Sequence, residues 1–367
     1  MFNERTAIGL DVHARSARAA AIDASTGEVI EARLPADAAA VMDWVGGIAR
    51  RHGPVHLAYE AGPTGFGLAR KLNLGGVPCT VAAPSKIVRP VGDRIKTDAR
   101  DALLLARLLR MDELVAVRVP TEAEEAARDL VRARDDARTD LMAARHRLSK
   151  LLLRRGLIYE SDRAWTGAHD AWLRQIRRDE LDAAGSGTLA AFDAGYDAVT
   201  QILARKARLD RDITALAGRS EFTGITNRLA CLRGISVLTG FALAVEIGDW
   251  RRFTGGTIAA YLGLVPSEHS SGGSRSLGPI TKTGNTHARR LLIEAAWHHK
   301  PGYTPGKVMK ERWALAPATA AARGDAGNRR LHHRWMVLAG NHKKHTVANT
   351  AIARELAGWC WSLAVLE

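Results

Sequence analysis

An aspartate stands inside the first apolar run of the chain, and that placement limits what the N-terminal third can become. Residues 6–14 read TAIGLDVHA, in which Asp11 interrupts a stretch of strand-forming residues. An unpaired carboxylate in an apolar setting is strongly disfavoured, so such a position needs a compensating ligand or charge. A second acid, Glu60, ends the run VHLAYE just before AGPTG. Asp98 and Asp101 lie three apart in KTDARDALLLARLL, so in a helix they share one face. Converging carboxylates repel one another, and a hard cation such as Mg2+ relieves this by taking their oxygens as ligands. Two such ions about 4 Å apart activate an attacking oxygen and stabilise a leaving one in phosphodiester chemistry. Each acid also has an ordinary reading. Thr97 or Asp98 serves as a helix N-cap, Asp101 suits a first turn, and Glu60 is a common strand-end residue.

The runs around these acids alternate in type. TAIGLDVHA, ARAAAID and EVIEARL form a three-strand meander, the last two separated by the turn-like ASTG. A helix from about Asp37 to Arg51, the strand VHLAYE, a helix through GFGLARKL and the strand CTVAA follow. Strands alternating with helices after a meander predict a mixed sheet covered by helices. DALLLARLLRM, from Asp101 to Met111, closes this part as a helix.

From Glu122 to about Arg155 the pattern becomes one long helix. Leu130, Ala137, Leu141, Ala144, Leu148 and Leu151 fall on one heptad seam, with Arg134 at the remaining seam position, which predicts a coiled-coil-like arm. Between Arg128 and Arg155 there are nine Lys or Arg against four Asp. The whole chain carries 53 Lys and Arg against 39 Asp and Glu, a formal charge of +14. An excess of that size points to a polyanionic partner, nucleic acid first, although a solvated helix face accounts for a basic run equally well. AAGSG at 183–187 breaks the pattern, and a second long helix runs from about Thr188 to Gly218. Beyond Phe222 apolar helices alternate with glycine-rich turns, and TAIARELAGWCWSLAVL closes the chain as an apolar helix. Cys79, Cys231 and Cys360 form no CxxC pair, so neither a thiolate zinc site nor a disulfide framework is expected. The tail histidines, among them His332, His333, His342 and His345, have no acid or cysteine at ligand-like spacing. The start MFNERTAIGL has no apolar signal region, and Ile235–Ile247 is too short to span a bilayer. A cytoplasmic, nucleoid-associated protein with no membrane partner follows.

Two C-terminal segments bear on chemistry. In SSGGSRSLGPITKTGN, Ser270 and Ser271 precede two glycines, and Arg275, Lys282, Arg289 and Arg290 add positive charge in and after the segment. Glycine allows close backbone approach to a phosphate, arginine stabilises phosphoryl charge, and a serine hydroxyl can attack phosphorus. A mobile surface loop is the plain alternative. Upstream, LRGISVLTGFALAVEIGD reads as helix, glycine-containing turn, helix, which suits either backbone contact with DNA phosphates or a core hairpin.

GLDVHAR, YEAGPTG and KTDARDALLLARLL resemble the three acidic blocks of the DEDD transposases of the insertion-sequence-110 type. The run EIGDWRRFTGGTIAAYLGLVPSEHSSGGSRSLGPITKTGNTHARRLL resembles that family's C-terminal domain, and HTVANTAIARELAGWCW its closing helix in a longer-tailed subgroup. The resemblance implies a ribonuclease H-like (RuvC-like) α/β domain over 1–120, a helical coiled-coil arm over 121–220 and a mainly helical transposase domain over 221–367. It implies a Mg2+-binding tetrad of Asp11, Glu60, Asp98 and Asp101, and a nucleophile at Ser271, with Ser270 the weaker match. It further implies donor and target DNA as substrates, a structured noncoding guide RNA, and a homotetramer. RGIS at 233–236 departs from the family's usual PGIG, which bears on the hairpin's phosphate contacts and not on the tetrad. Two rival readings remain: a hydrolytic junction-resolving nuclease using the acids alone, and a noncatalytic nucleic-acid-binding protein.

Overall fold

A computed structural model describes residues 5–88, 97–181, 185–269, 273–274 and 276–366. The chain divides into two compact units, Met1–Thr121 and Glu122–Glu367.

The first unit is a mixed α/β sheet with helices on both faces. Its strands are β1 (Thr6–Val12), β2 (Ser16–Ile22) and β3 (Val29–Pro35), then α1 (Ala38–His52), β4 (Val55–Glu60), α2 (Gly67–Leu74), β5 (Cys79–Ala82) and α3 (Asp98–Arg110). The sheet order is β3-β2-β1-β4-β5, with the meander antiparallel and β4 and β5 parallel to β1. Asp37 caps α1 by accepting a hydrogen bond from the Ala40 amide, and Val41, Val45 and Ile48 recur at helical spacing on its buried side. These pack with Ile8, Leu10, Leu57, Tyr59 and Leu72 on one face of the sheet.

The opposite face holds α3, and the approach is close. A Cβ on Gly9 would stand 2.0 Å from the Ala102 carbonyl oxygen and 2.6 Å from the Ala106 amide nitrogen. Only glycine on the strand, facing alanines on the helix, allows this contact. Thr97 caps α3 through the Arg100 amide, so the helix starts at Asp98, three residues before the start read from the sequence.

The second unit is almost wholly helical: α4 (Glu122–Leu153), α5 (Gly167–Ile176), α6 (Ser186–Ala217), α7 (Thr223–Leu229), α8 (Val237–Ile247) and α9 (Thr257–Tyr261), then the strands β6 (Pro266–Glu268) and β7 (Leu277–Ile280), then α10 (Thr286–Ala296), α11 (Lys307–Trp313), α12 (Ala318–Gly340) and α13 (His345–Ala364). The pairs Arg134–Asp210, Arg205–Asp140 and Arg155–Thr188 show that α4 and α6 run antiparallel. Ala137, Leu141, Ala144 and Leu148 are buried as the heptad reading expects, but at the ends Val131 and Leu152 are buried while Leu130 and Leu151 are only half-buried. A straight helix drifts by about 20° per heptad, which moves the contact stripe off a strict seam. The remaining helices enclose one core that includes Phe241, Leu243, Leu292, Trp335 and Leu356. Among the described residues no helix is long and apolar enough to cross a membrane.

Candidate metal centre and serine segment

The parallel pairing of β1 and β4 sets Leu10 opposite Tyr59, so Asp11 and Glu60 occupy the next matching positions at the strand ends. Strand alternation then decides which face they use. Ile8, Leu10, Leu57 and Tyr59 belong to the core beneath α1 and α2, whereas Ala7 and Ala58 pack with Leu109 of α3. Asp11 and Glu60 continue the second set and therefore lie on the α3 side, at the edge where α3 begins. Asp98 and Asp101 lie in the first turn of α3, where the helix dipole favours negative charge.

The arrangement includes a residue that the spacing arguments did not single out. His13 Nε2 stands 3.4 Å from Asp11 Oδ2 and 3.4 Å from Asp98 Oδ2. Asp11, His13 and Asp98 each offer one ligand atom, and all three atoms lie within 4.8 Å of one another. The sequence signal was available, since His13 follows Asp11 by two residues and so projects to the same side. Two carboxylate oxygens and an imidazole nitrogen suit a divalent cation: carboxylates bind Mg2+ and Mn2+, and imidazole extends the range to softer first-row ions. Glu60 is exposed and Asp101 half-buried at this edge of the sheet.

The serine segment lies between β6 and β7, which pair antiparallel. Ser270, Ser271 and Arg275 fall outside the described residues. The His269 amide donates to the Ser276 carbonyl at 3.0 Å, bridging the segment's two ends. Downstream, Gly284 adopts φ 70°, and a Cβ there would come within 1.9 Å of the Tyr261 carbonyl oxygen, so this turn requires glycine.

Two cations read as phosphate-facing have other work. Arg289 is buried and donates to the Leu262 and Thr283 carbonyls at 3.0 and 2.7 Å. Arg290 pairs with Glu294 and Asp135. Arg289 thereby fastens the turn that follows the segment, and Arg290 ties α10 to α4. Beside them lies a buried carboxylate, Glu246, whose side chain is 1% exposed. It accepts from Arg132 at 3.0 and 3.1 Å and from Asn285 Nδ2 at 2.7 Å, with His287 Nδ1 at 3.2 Å. Burial pushes this carboxyl up, but hydrogen bonds from His287, Arg132 and Asn285, with the Arg132 charge, outweigh it and hold Glu246 well below the usual carboxylate range. Glu246 thereby ties α4 to α8 and to the start of α10. In the RGIS turn, Ser236 caps α8 through the Thr239 amide, and Arg233 donates to the Pro301 and Gly302 carbonyls.

These features meet in a protein class that comparison with known chains defines. Residues 8–155 match the family model for DEDD transposases of the IS110 type, and residues 226–311 match the model for the IS116/IS110/IS902 transposase family. A chain carrying both is a transposase, an enzyme that recombines DNA. This one belongs to the IS110 family. It is 36% identical to the transposase y4qE of Sinorhizobium fredii over 362 residues, covering 97% of this chain and 88% of that one. It is 29% identical over 343 residues to the transposase for insertion sequence element IS1533 of Leptospira borgpetersenii, covering 92% of this chain and 97% of that one. The DEDD domain implies a divalent metal site, which agrees with the donors gathered at Asp11, His13 and Asp98.

Proposed function

We propose that the first unit is a ribonuclease H-like nuclease domain whose Asp11, Glu60, Asp98 and Asp101 hold Mg2+, and that Ser271 is the nucleophile of DNA strand transfer. The observation that carries this reading is the meeting of Asp11, His13 and Asp98 within one ion's reach, inside the family-matched region. When bound, the cation supplies positive charge at the scissile phosphate. The four carboxylates would hold the cation, and His13 would offer a further donor between Asp11 and Asp98. In the strand-transfer step the Ser271 oxygen bonds to phosphorus as the bond to the sugar oxygen breaks. The serine proton ends on the departing sugar oxygen, and attack by another strand's hydroxyl reverses the exchange. Phosphodiester bonds are conserved, so rejoining needs no external energy source.

The three functional segments proposed are the catalytic domain 1–120, a coiled-coil-like arm 121–220 and the serine-bearing domain 221–367. The arm, with its basic excess, serves a structured guide RNA and assembly into a homotetramer, since two duplexes must be cut and rejoined. The test is covalent trapping on a denaturing gel. Wild type with Mg2+ is expected to give a protein–DNA adduct that maps to Ser271, Ser271→Ala none, and Asp98→Asn none while still folded. An adduct at Ser270 moves the nucleophile by one position. Cleavage of DNA with no adduct at any stage would overturn the serine chemistry in favour of hydrolysis.

A further inference from the structure

Between the end of α4 and the start of α5 the chain gathers rings that the recombination chemistry leaves unused. Tyr159 meets His169 edge-on with centroids 4.7 Å apart, Trp165 and Trp172 lie 4.9 and 5.4 Å from the same histidine, and the Arg145 guanidinium covers Trp165 at 4.9 Å. Beside these rings is a cavity of about 240 Å3, walled by Lys150, Leu153, Ile158, Tyr159, His169 and Trp172.

A cluster that only closed the helical hairpin would fill its space and hide its apolar groups. Here Leu153 and Ile158 are 48% and 63% exposed at the cavity wall. His169 is 5% exposed, and its Nδ1 finds no hydrogen-bond partner among the described residues, which is a costly state for a buried polar atom. Trp165 is held at φ 66°, a left-handed conformation that a bulky side chain adopts only when its surroundings impose it. Burial also lowers the His169 pKa, so the ring is neutral at physiological pH and presents one donor and one acceptor. The space is smaller than the cavities that hold drug-sized ligands and suits a single flat heterocycle. Lys150 stands on the wall, and Arg147 and Arg154 are exposed on the adjoining end of α4 and just after it.

We propose that this cavity takes one unstacked nucleobase from a single-stranded segment, stacked on its aromatic wall and hydrogen-bonded to His169, with the adjoining phosphates held by Lys150, Arg147 and Arg154. The inference rests on the reading that the chain works on nucleic acid, and it names a site on the arm that reads a base. The base has two possible sources, a loop of the guide RNA or a DNA strand displaced during exchange. Both offer the same planar, hydrogen-bonding ligand.

The test uses the full chain and a short oligo(A) probe in ribose and deoxyribose forms, beside the same backbones with abasic sites, read by tryptophan quenching and anisotropy. Wild type is expected to bind the base-bearing probe about tenfold more tightly than the abasic one, within the range of base–aromatic stacking. Trp172→Leu, which stays apolar but removes the stacking ring, should erase that preference while leaving affinity for duplex DNA unchanged. Tighter binding of the ribose probe assigns the site to RNA and of the deoxyribose probe to displaced DNA, and either supports the pocket. Equal binding of base-bearing and abasic probes by wild type overturns it, whatever the variant does. The reading beneath it is tested apart by the serine adduct. Wild type that forms the adduct without base preference overturns the pocket alone, whereas base preference without adduct upholds the pocket and overturns the serine chemistry.

Discussion

Gly9→Ala is the sharpest test of how this fold sets its acids. The added methyl carbon would lie 2.0 Å from the Ala102 oxygen, 2.6 Å from the Ala106 nitrogen and 2.9 Å from the Leu105 Cβ. Favourable contact between such atoms begins near 3.5 Å, so α3 must retreat by roughly 1–1.5 Å. Overpacking of this kind costs about 1–3 kcal/mol, which lowers Tm by several degrees in a unit of this size. The larger effect is on activity. Ala102 is one turn or less from Asp98 and Asp101, so a retreat of α3 carries both away from Asp11 and Glu60. A displacement of about 1 Å at reacting groups costs on the order of 100-fold in rate. The assay compares strand transfer and Tm for Gly9→Ala with Gly46→Ala, where the nearest atom to the new methyl is a flexible arginine end at 3.6 Å. Gly46→Ala, in the interior of α1, should gain about 0.5–1 kcal/mol and keep full activity. If Gly9→Ala retains both Tm and strand transfer within twofold, the close packing of α3 is not what positions the carboxylates.

Two further outcomes follow from the second unit and one from the first. Arg132→Gln leaves the buried Glu246 without its bidentate partner and should lower stability by about 2–3 kcal/mol, less than for a fully buried pair because Arg132 is 57% exposed; an unchanged melting curve would count against the network. Replacing Arg147 and Arg154, which are exposed, by Gln should instead leave Tm unchanged, weaken RNA binding and flatten its salt dependence by about one unit of slope per lost phosphate contact. RNA affinity equal to wild type would leave the arm as a packing element. Hydrogen bonds from the Thr26 amide and hydroxyl, with further ones from His52 and the Ser25 amide, lower the Asp23 pKa from 3.8 to about 2 despite burial. Because the folded-state value lies below the unfolded one, its contribution is full above about pH 4 and fades as pH falls towards 2. The stability gap between Asp23→Asn and wild type, followed by circular dichroism, should therefore be constant above about pH 4 and narrow as pH falls towards 2.

Much of the first unit was legible because strand and helix periods differ and each run is short. The meander, the helix begun at Asp37 and the acids at run ends all follow from local pattern. What the pattern does not carry is pairing: nothing in VHLAYE says that it lies parallel to TAIGLDV, and that pairing is what brings Glu60 beside Asp11. His13 went unread because its two-residue spacing from Asp11 gains meaning only when Asp98 arrives from α3. Arg289 and Arg290 misled for the opposite reason. Their charge is plain in the sequence, while the Leu262 carbonyl and Asp135 that engage them come from distant segments. The long helix was correctly seen as amphipathic, yet at its ends the contact stripe moves from Leu130 and Leu151 to Val131 and Leu152. The ring cluster around His169 escaped notice although Trp165, His169 and Trp172 stand at i, i+4, i+7 spacing, because Tyr159 and Arg145 join it from other segments.

The packing of α3 on Gly9 also sets when, during synthesis, the acidic edge of the first unit comes into being. Asp11 leaves the ribosome early, whereas Asp98 and Asp101 follow almost ninety residues later. At ordinary translation speeds that interval is on the order of ten seconds. Through it the nascent chain can pair its strands but carries only half of its carboxylates. A chain broken off before residue 98 therefore lacks Asp98, one of the three donors that meet at this edge. The meeting of Asp11, His13 and Asp98 therefore arrives in one step, when the last helix of the unit settles on a strand position that has no side chain.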